Sequence, residues 1–195
     1  MSSELLDILV SEVQKCTLCE DNLPLGARPV LQISSNEKIL IAGQAPGIRV
    51  HKSGIPFDDP SGDRLRQWMG IDKNSFYNAD KIAILPMGFC YPGTGKSGDL
   101  PPRPECAVKW RTTLLDSMAN IELVLAIGGY AQKWHMKTTK KKSLAETVKE
   151  WESYWPKLLP MPHPSPRNNI WLKKNPWFEA DVLPRLQSKI STLLN

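Results

Sequence analysis

Nowhere does the 195-residue chain carry an apolar run approaching the ~18 residues that span a bilayer, so no membrane anchor is read from it. Its amino terminus, MSSELLDILVSEVQK, lacks the layout of a signal peptide and the arginines of a transit sequence. Leu5, Leu6, Leu9, Val10 and Val13 instead recur at helical spacing among mostly acidic charges. A cytoplasmic, nucleoid-associated protein is the expectation. No internal repeat is visible, which excludes a repeat array. Cysteine is scarce, with four in the whole chain, and a cytosolic protein does not normally keep disulfides. Neither charge sign dominates: 25 basic against 20 acidic residues leave a net +5, a modest lean towards a polyanionic partner. What the chain does not lack is apolar residues, at 41%, so disorder is excluded and a single domain over residues 1–195 with a proper core is expected. Proline is also plentiful, and the 17 prolines gather in loops around 101–104 and 156–166 that are thereby pre-set in shape.

One stretch organises the rest: GQAPGIRVHKSGIPFDDPSG, residues 43–62. Gly43, Pro46 and Gly47 let the backbone turn sharply and approach a ligand closely. Phe57 offers a flat stacking surface, with Asp58 and Asp59 directly after it. The loop is not GxGxxG and holds no GK[ST], so neither a dinucleotide fold nor a P-loop is indicated by it.

Apolar runs at 38–42 (KILIA), 81–87 (KIAILPM), 121–127 (IELVLAI) and 158–161 (LLPM) are predicted strands. Helices are predicted over 3–15, 63–70, 104–120, 130–136, a segment ending near 154, and 177–194, with Ser61 or Asp63 as cap of the second. Strands alternating with helices imply a parallel sheet covered on both faces, an α/β protein. The loops after the first, second and last strands then open on one edge, where such sheets bind ligands. Those loops hold the Gly, Pro, His, Asp and Arg residues of interest.

The cysteines fall as Cys16-x2-Cys19, a long gap, then Cys90 and Cys106. A zinc ribbon would usually show two close CxxC pairs, and only one is present. Four thiolates also suit an iron–sulfur cluster, and small core cysteines remain the plain alternative.

Taken in order, these motifs resemble the uracil-DNA glycosylase superfamily, most closely its iron–sulfur branches, families 4 and 5. Cys16-x2-Cys19, Gly43–Gly47 ending at Phe57, Cys90, Cys106 and His163-Pro164-Ser165 occur in the family's order and with similar gaps. The resemblance implies a three-layer α/β/α sandwich around a four-stranded parallel sheet. It implies a structural [4Fe–4S] cluster on Cys16, Cys19, Cys90 and Cys106, with zinc as the alternative metal. The implied activity is hydrolysis of the N-glycosidic bond of uracil or another deaminated or damaged base in DNA, by a monomer. Such a base must be flipped out of the stack. Phe57 would then stack on it, His163 would bond the carbonyl where charge develops, and a carboxylate would position water.

Departures from the pattern carry information too. Gln44 stands where family 4 has glutamate, and Ala45 where many members have Asp or Asn. The family 5 arrangement, Asp two residues before a serine, falls on Asp59, with Asp58 next; the competing reading is that these aspartates cap the following helix. Pro86 occupies the position of the base-reading asparagine, leaving the backbone of Met87 and Gly88, or Gln44, to replace it. Ser165 and Arg167 belong to the loop that pinches DNA. Arg49, Lys52, Lys96, Lys137, Lys140, Lys141 and Lys142 are candidate phosphate contacts, and Trp171 and Trp177 flank the same loop. A fold-sharing nucleic-acid binder without the chemistry is the second hypothesis, and a small-molecule enzyme using the same edge the third.

Overall fold

Four short runs, each continuously apolar, build the central sheet. The computed structural model describes residues 3–96, 98–136 and 143–195. Its strands are β1 (Ile39–Ala42), β2 (Ile82–Ile84), β3 (Thr94–Gly95), β4 (Gly98–Asp99), β5 (Leu123–Ile127) and β6 (Leu158–Met161). β2, β1, β5 and β6 lie in that order, all parallel, with Ile39 opposite both Ile82 and Leu123 and Val124 opposite Leu158. Parallel strands are buried on both faces, hence their lack of polar alternation.

The period-2 pleat sends neighbours to opposite layers. Ile39, Ile41, Ile82, Ile84, Leu123 and Leu125 meet Leu65, Trp68, Phe76, Phe178 and Leu186 on one face. Leu40, Ala83 and Leu85 meet Val13, Leu114 and Met118 on the other. Helices Pro60–Met69 and Leu183–Leu194 supply the first layer, and Ser3–Gln14 and Thr112–Ser117 the second. The outcome is the expected α/β/α sandwich. Each fully buried aliphatic side chain contributes roughly 1.5–3 kcal/mol.

Several local features depart from the expected boundaries or decide between the expected readings. Residues 43–62 are not all loop: Ile48–Ser53 is a helix bracketed by Gly47 and by Gly54, whose φ of 76° ends it in the left-handed region. The cap of the next helix is Asp59 and not Ser61 or Asp63, because Pro60 takes the first helical position and Asp59 accepts from the Gly62 N–H at 2.9 Å. Between Cys90 and Cys106, β3 and β4 form an antiparallel hairpin. The helix expected over 104–120 runs as Pro104–Cys106, a π-helical turn Ala107–Arg111 and Thr112–Ser117. Another helix, Asn169–Lys174, follows the last strand's loop.

Candidate functional site

The loops after β1, β2 and β6 converge at the carboxyl edge of the sheet and enclose a cleft of about 650 Å³. Residues 43–47, Phe57, Asp59, Ser165 and Arg167 line it together with His163. Asp58, Met87 and Gly88 are not among its lining residues.

Phe57 forms one wall at a φ of 54°, in the left-handed region that a non-glycine residue enters at a cost of about 1–3 kcal/mol. Two glycines and a partner hold it there. A Cβ on Gly43 would lie 3.7 Å from its ring tip, its carbonyl oxygen sits against Gly62, and its ring meets Phe76 edge-on at 6.2 Å. Packing on the cleft wall thus maintains a backbone conformation of the kind that clusters at ligand clamps.

His163 stands on the β6 loop, half-buried. Its Nδ1 accepts the Ser165 N–H at 3.2 Å, which assigns the ring proton to Nε2 when the imidazole is neutral. Burial lowers its pKa below the usual 6.5, partly opposed by the charges of Asp59 and Asp99. The loop is held from behind. Asn168 donates to the His163 carbonyl at 2.7 Å, the Ser165 hydroxyl accepts the Arg167 N–H at 3.2 Å, and Arg64 reaches across from helix Pro60–Met69 to the Ser165 carbonyl at 3.1 Å. His163 is thus a neutral donor fixed in orientation.

Gln44 has a different occupation from the one expected. Its amide donates to the Leu100 carbonyl at 2.9 Å and approaches the Asp99 carbonyl at 3.4 Å, pinning the β3–β4 hairpin to the cleft rim. The Met87 N–H donates to the Gly43 carbonyl at 2.9 Å and the Gly88 N–H to Gln44 at 3.0 Å, so neither is free to read a base edge. They continue the β1–β2 ladder into the loops instead. Pro86 lies on the cleft wall, as does Arg49, while Lys96 is an exposed turn residue. Lys137, Lys140, Lys141 and Lys142 lie outside the described residues. Trp171 and Trp177 pack edge-on against each other at 6.0 Å and against Phe178, a core role beneath the loop.

Two residues escaped the sequence reading. Asp99, on β4, lines the cleft; nothing in a two-residue strand signals it. Arg111 is fully buried, donating to the Leu85 and Pro86 carbonyls at 2.9 and 2.8 Å and bonding His135 at 2.7 Å. Burial, and then Arg111, drive the pKa of His135 down to about 4, and burial lowers that of Arg111 to about 10. No carboxylate among the described residues pairs with this buried cation.

The four cysteines lie within electrostatic reach of one another. All are free thiols, and the charges of Cys16 and Cys19 act on both Cys90 and Cys106. The Phe89 N–H donates to Cys106 Sγ at 3.4 Å and the Trp110 indole to Cys16 Sγ at 3.2 Å. Burial pushes Cys90 up to about 11 and Cys106 up to about 12, so their thiolates would need a cationic partner. Among the described residues no three His, Cys, Asp or Glu side chains converge on one metal-ion position. A cluster that spreads four thiolates over four irons asks for a wider spacing, and N–H donors to the Cys16 and Cys106 sulfurs would suit it.

A parallel sheet covered on both faces, with an aromatic wall, a carboxylate and an oriented histidine at its carboxyl edge, defines an α/β protein with a cleft at that edge. Residues 31–187 match the family model of the uracil DNA glycosylase superfamily, and the chain belongs to that superfamily. The matched segment contains every cleft residue named above together with Cys90 and Cys106, and it begins after Cys16 and Cys19. DNA glycosylase-type chemistry is therefore the class of activity to which the site points. No described helix is long and apolar enough to cross a membrane.

Proposed function

We propose that the protein hydrolyses the N-glycosidic bond of uracil or another deaminated base flipped out of DNA. The observation that carries this reading is His163, neutral and oriented by the Ser165 N–H, in the same cleft as the strained Phe57 ring and Asp59. A flipped base would stack on Phe57, a contact worth ~1–3 kcal/mol. As the bond to C1′ breaks, its electrons pass to the base, and His163 Nε2–H donates to the carbonyl oxygen where that charge collects. The Asp59 charge faces the same space and would stabilise the cationic sugar. Its Oδ1 also keeps the helix cap, so the catalytic and capping readings of this residue are compatible. Arg49, Arg167, Lys52 and Lys96 would contact phosphates.

Abasic-site formation in oligonucleotides carrying uracil, hypoxanthine or xanthine tests the proposal. Release of at least one of these bases is expected; salt-dependent binding with no release from any would favour the second reading, a binding-only member. That second reading draws support from Pro86 and from the engagement of the Gln44 amide with the hairpin, which together leave few side-chain groups to read a base.

The donor set fits a [4Fe–4S] cluster on Cys16, Cys19, Cys90 and Cys106. Bound there, it would cross-link the amino-terminal segment to the core as a structural element. Protein purified without oxygen is expected to be brown, with broad visible absorption that Cys90→Ser abolishes along with several degrees of thermal stability. Colourless protein containing stoichiometric zinc would overturn the assignment.

A further inference from the structure

Both carboxylates whose charges act on His163 are known, and only one of them stands out in the sequence. Asp59 belongs to the Phe57 loop and spends Oδ1 on the cap of helix Pro60–Met69. The other is Asp99. It reaches the cleft on a hairpin with almost no structure of its own, two residues per strand. That hairpin is nevertheless held by two side-chain contacts. Gln44 clamps the backbone at Leu100. The Thr94 hydroxyl, itself 2.6 Å from the Tyr91 hydroxyl, donates to Asp99 Oδ1 at 3.1 Å. Gly47 also lies near this carboxylate: a Cβ there would make ordinary contact with Asp99 Oδ2 at 3.5 Å. Among the described residues Oδ2 has no hydrogen-bond partner. One oxygen is therefore held and the other unbonded, on a residue that lines the cleft with Gly47, Gly98 and Arg167.

A surface turn does not need such a clamp. Its product is a carboxylate tethered by one oxygen in the same cleft as His163. We propose that Asp99 is a catalytic residue, the general base that takes the proton of the attacking water. This rests on the glycosylase reading given above. The step balances: the C1′–N bond breaks with both electrons going to the base, whose carbonyl oxygen is bonded by His163. The water oxygen forms the new bond to C1′, and its proton moves to Asp99 Oδ2 and thence to solvent. The base leaves as its anion and is protonated by solvent. Asp59 keeps the two roles of helix cap and charge on the sugar, and Asp99 supplies the base that Gln44 and Ala45 cannot.

Two isosteric variants separate these roles. Asn at 99 still accepts from Thr94, and Asn at 59 is a good cap for Gly62, so both should fold. Single-turnover base release is expected to fall at least 100-fold in Asp99→Asn. Asp99→Gly should regain tenfold or more of its rate on adding formate, a small carboxylate able to fill the vacated space; a residue that merely shaped the hairpin would show no such rescue. Asp99→Asn within threefold of the unsubstituted protein overturns the proposal. A binding measurement keeps it decidable without turnover. An oligonucleotide with a cationic pyrrolidine abasic analogue should bind at least tenfold more tightly than one with neutral tetrahydrofuran, and because both carboxylates face the cleft, Asp59→Asn and Asp99→Asn should each lose part of that preference. An unchanged preference in Asp99→Asn, or none in the unsubstituted protein, overturns the role of Asp99. Absence of base release from every oligonucleotide sinks the glycosylase reading instead, and the pyrrolidine comparison then judges Asp99 alone.

Discussion

Replacing His163 by alanine is expected to lower single-turnover base release by about 10²–10³-fold while leaving DNA binding within a few fold. A fixed donor aimed at an oxygen that gains charge only as the bond breaks stabilises the transition state more than the bound substrate. The loss should therefore appear in the chemical step and not in affinity. His163→Gln, which keeps a donor but not the Ser165-fixed geometry, should recover part of it. The pH profile gives an independent check. A protonated ring would carry a hydrogen on Nδ1, facing the Ser165 N–H, and the contact that orients it would become a repulsion. Because burial sets the pKa below 6.5, any acid limb due to His163 should fall below that value. The sign for stability follows from the same shift. Between the lowered folded pKa and 6.5 the unfolded chain binds more protons, so stability is full above 6.5 and declines as pH falls through that window. Equal rates in His163→Ala and the unsubstituted protein would remove the histidine from the chemistry.

Much of the fold was legible because its strands are buried on both sides. Runs such as ILIA and LVLAI need no alternation to be recognised, and a parallel sheet fixes the edge at which its loops must meet. Phe57, Asp59 and His163 are carried by those loops and share the cleft. Harder to see was anything held by a side chain distant in sequence. Asp99 reaches the cleft through Gln44, 55 residues away, and strands of two residues have no period to read. Arg111 sits in a helical segment among Lys109 and Trp110, where an arginine ordinarily faces water; only the carbonyls left open at the end of β2 draw it inside. Helix Ile48–Ser53 was hidden for the opposite reason. Its bracketing glycines are also the signature of a loop, and six residues carry too little periodicity to separate the two.

Arg111 also links the two halves of the molecule. It bonds Pro86 on the cleft wall, and the Cys106 charge acts on it, opposing the effect of its burial. A buried cation without a carboxylate is costly unless something anionic lies near. Four thiolates around a cluster would be such a group and would account for the burial of this arginine.

Gly62→Ala is expected to be the most damaging single-methyl change in the chain. Inside a helix, alanine normally improves on glycine by about 1 kcal/mol, so intrinsic propensity favours the substitution. Packing reverses the sign. The new Cβ would lie 1.8 Å from the Phe57 carbonyl oxygen and 2.8 Å from both the carbonyl carbon and Cβ of the same residue. The obstacle is backbone, which cannot rotate aside as a side-chain end can. Phe57 is already held at positive φ, and Asp59 is tied to the Gly62 N–H, so loop and helix start cannot separate without losing the cap. Relief must come from moving the Phe57 peptide, at a cost of ~2–3 kcal/mol or more in stability, and with it goes the stacking wall. Denaturant midpoints should fall accordingly, and base release should drop even at temperatures where the variant remains folded. Gly129→Ala is the matched control. Nothing lies within 4 Å of its Cβ position at the start of helix Gly128–Met136, so it should be neutral or slightly stabilising. If Gly62→Ala were as stable and active as that control, the tight contact between helix and Phe57, and with it the strained presentation of the ring, would be wrong.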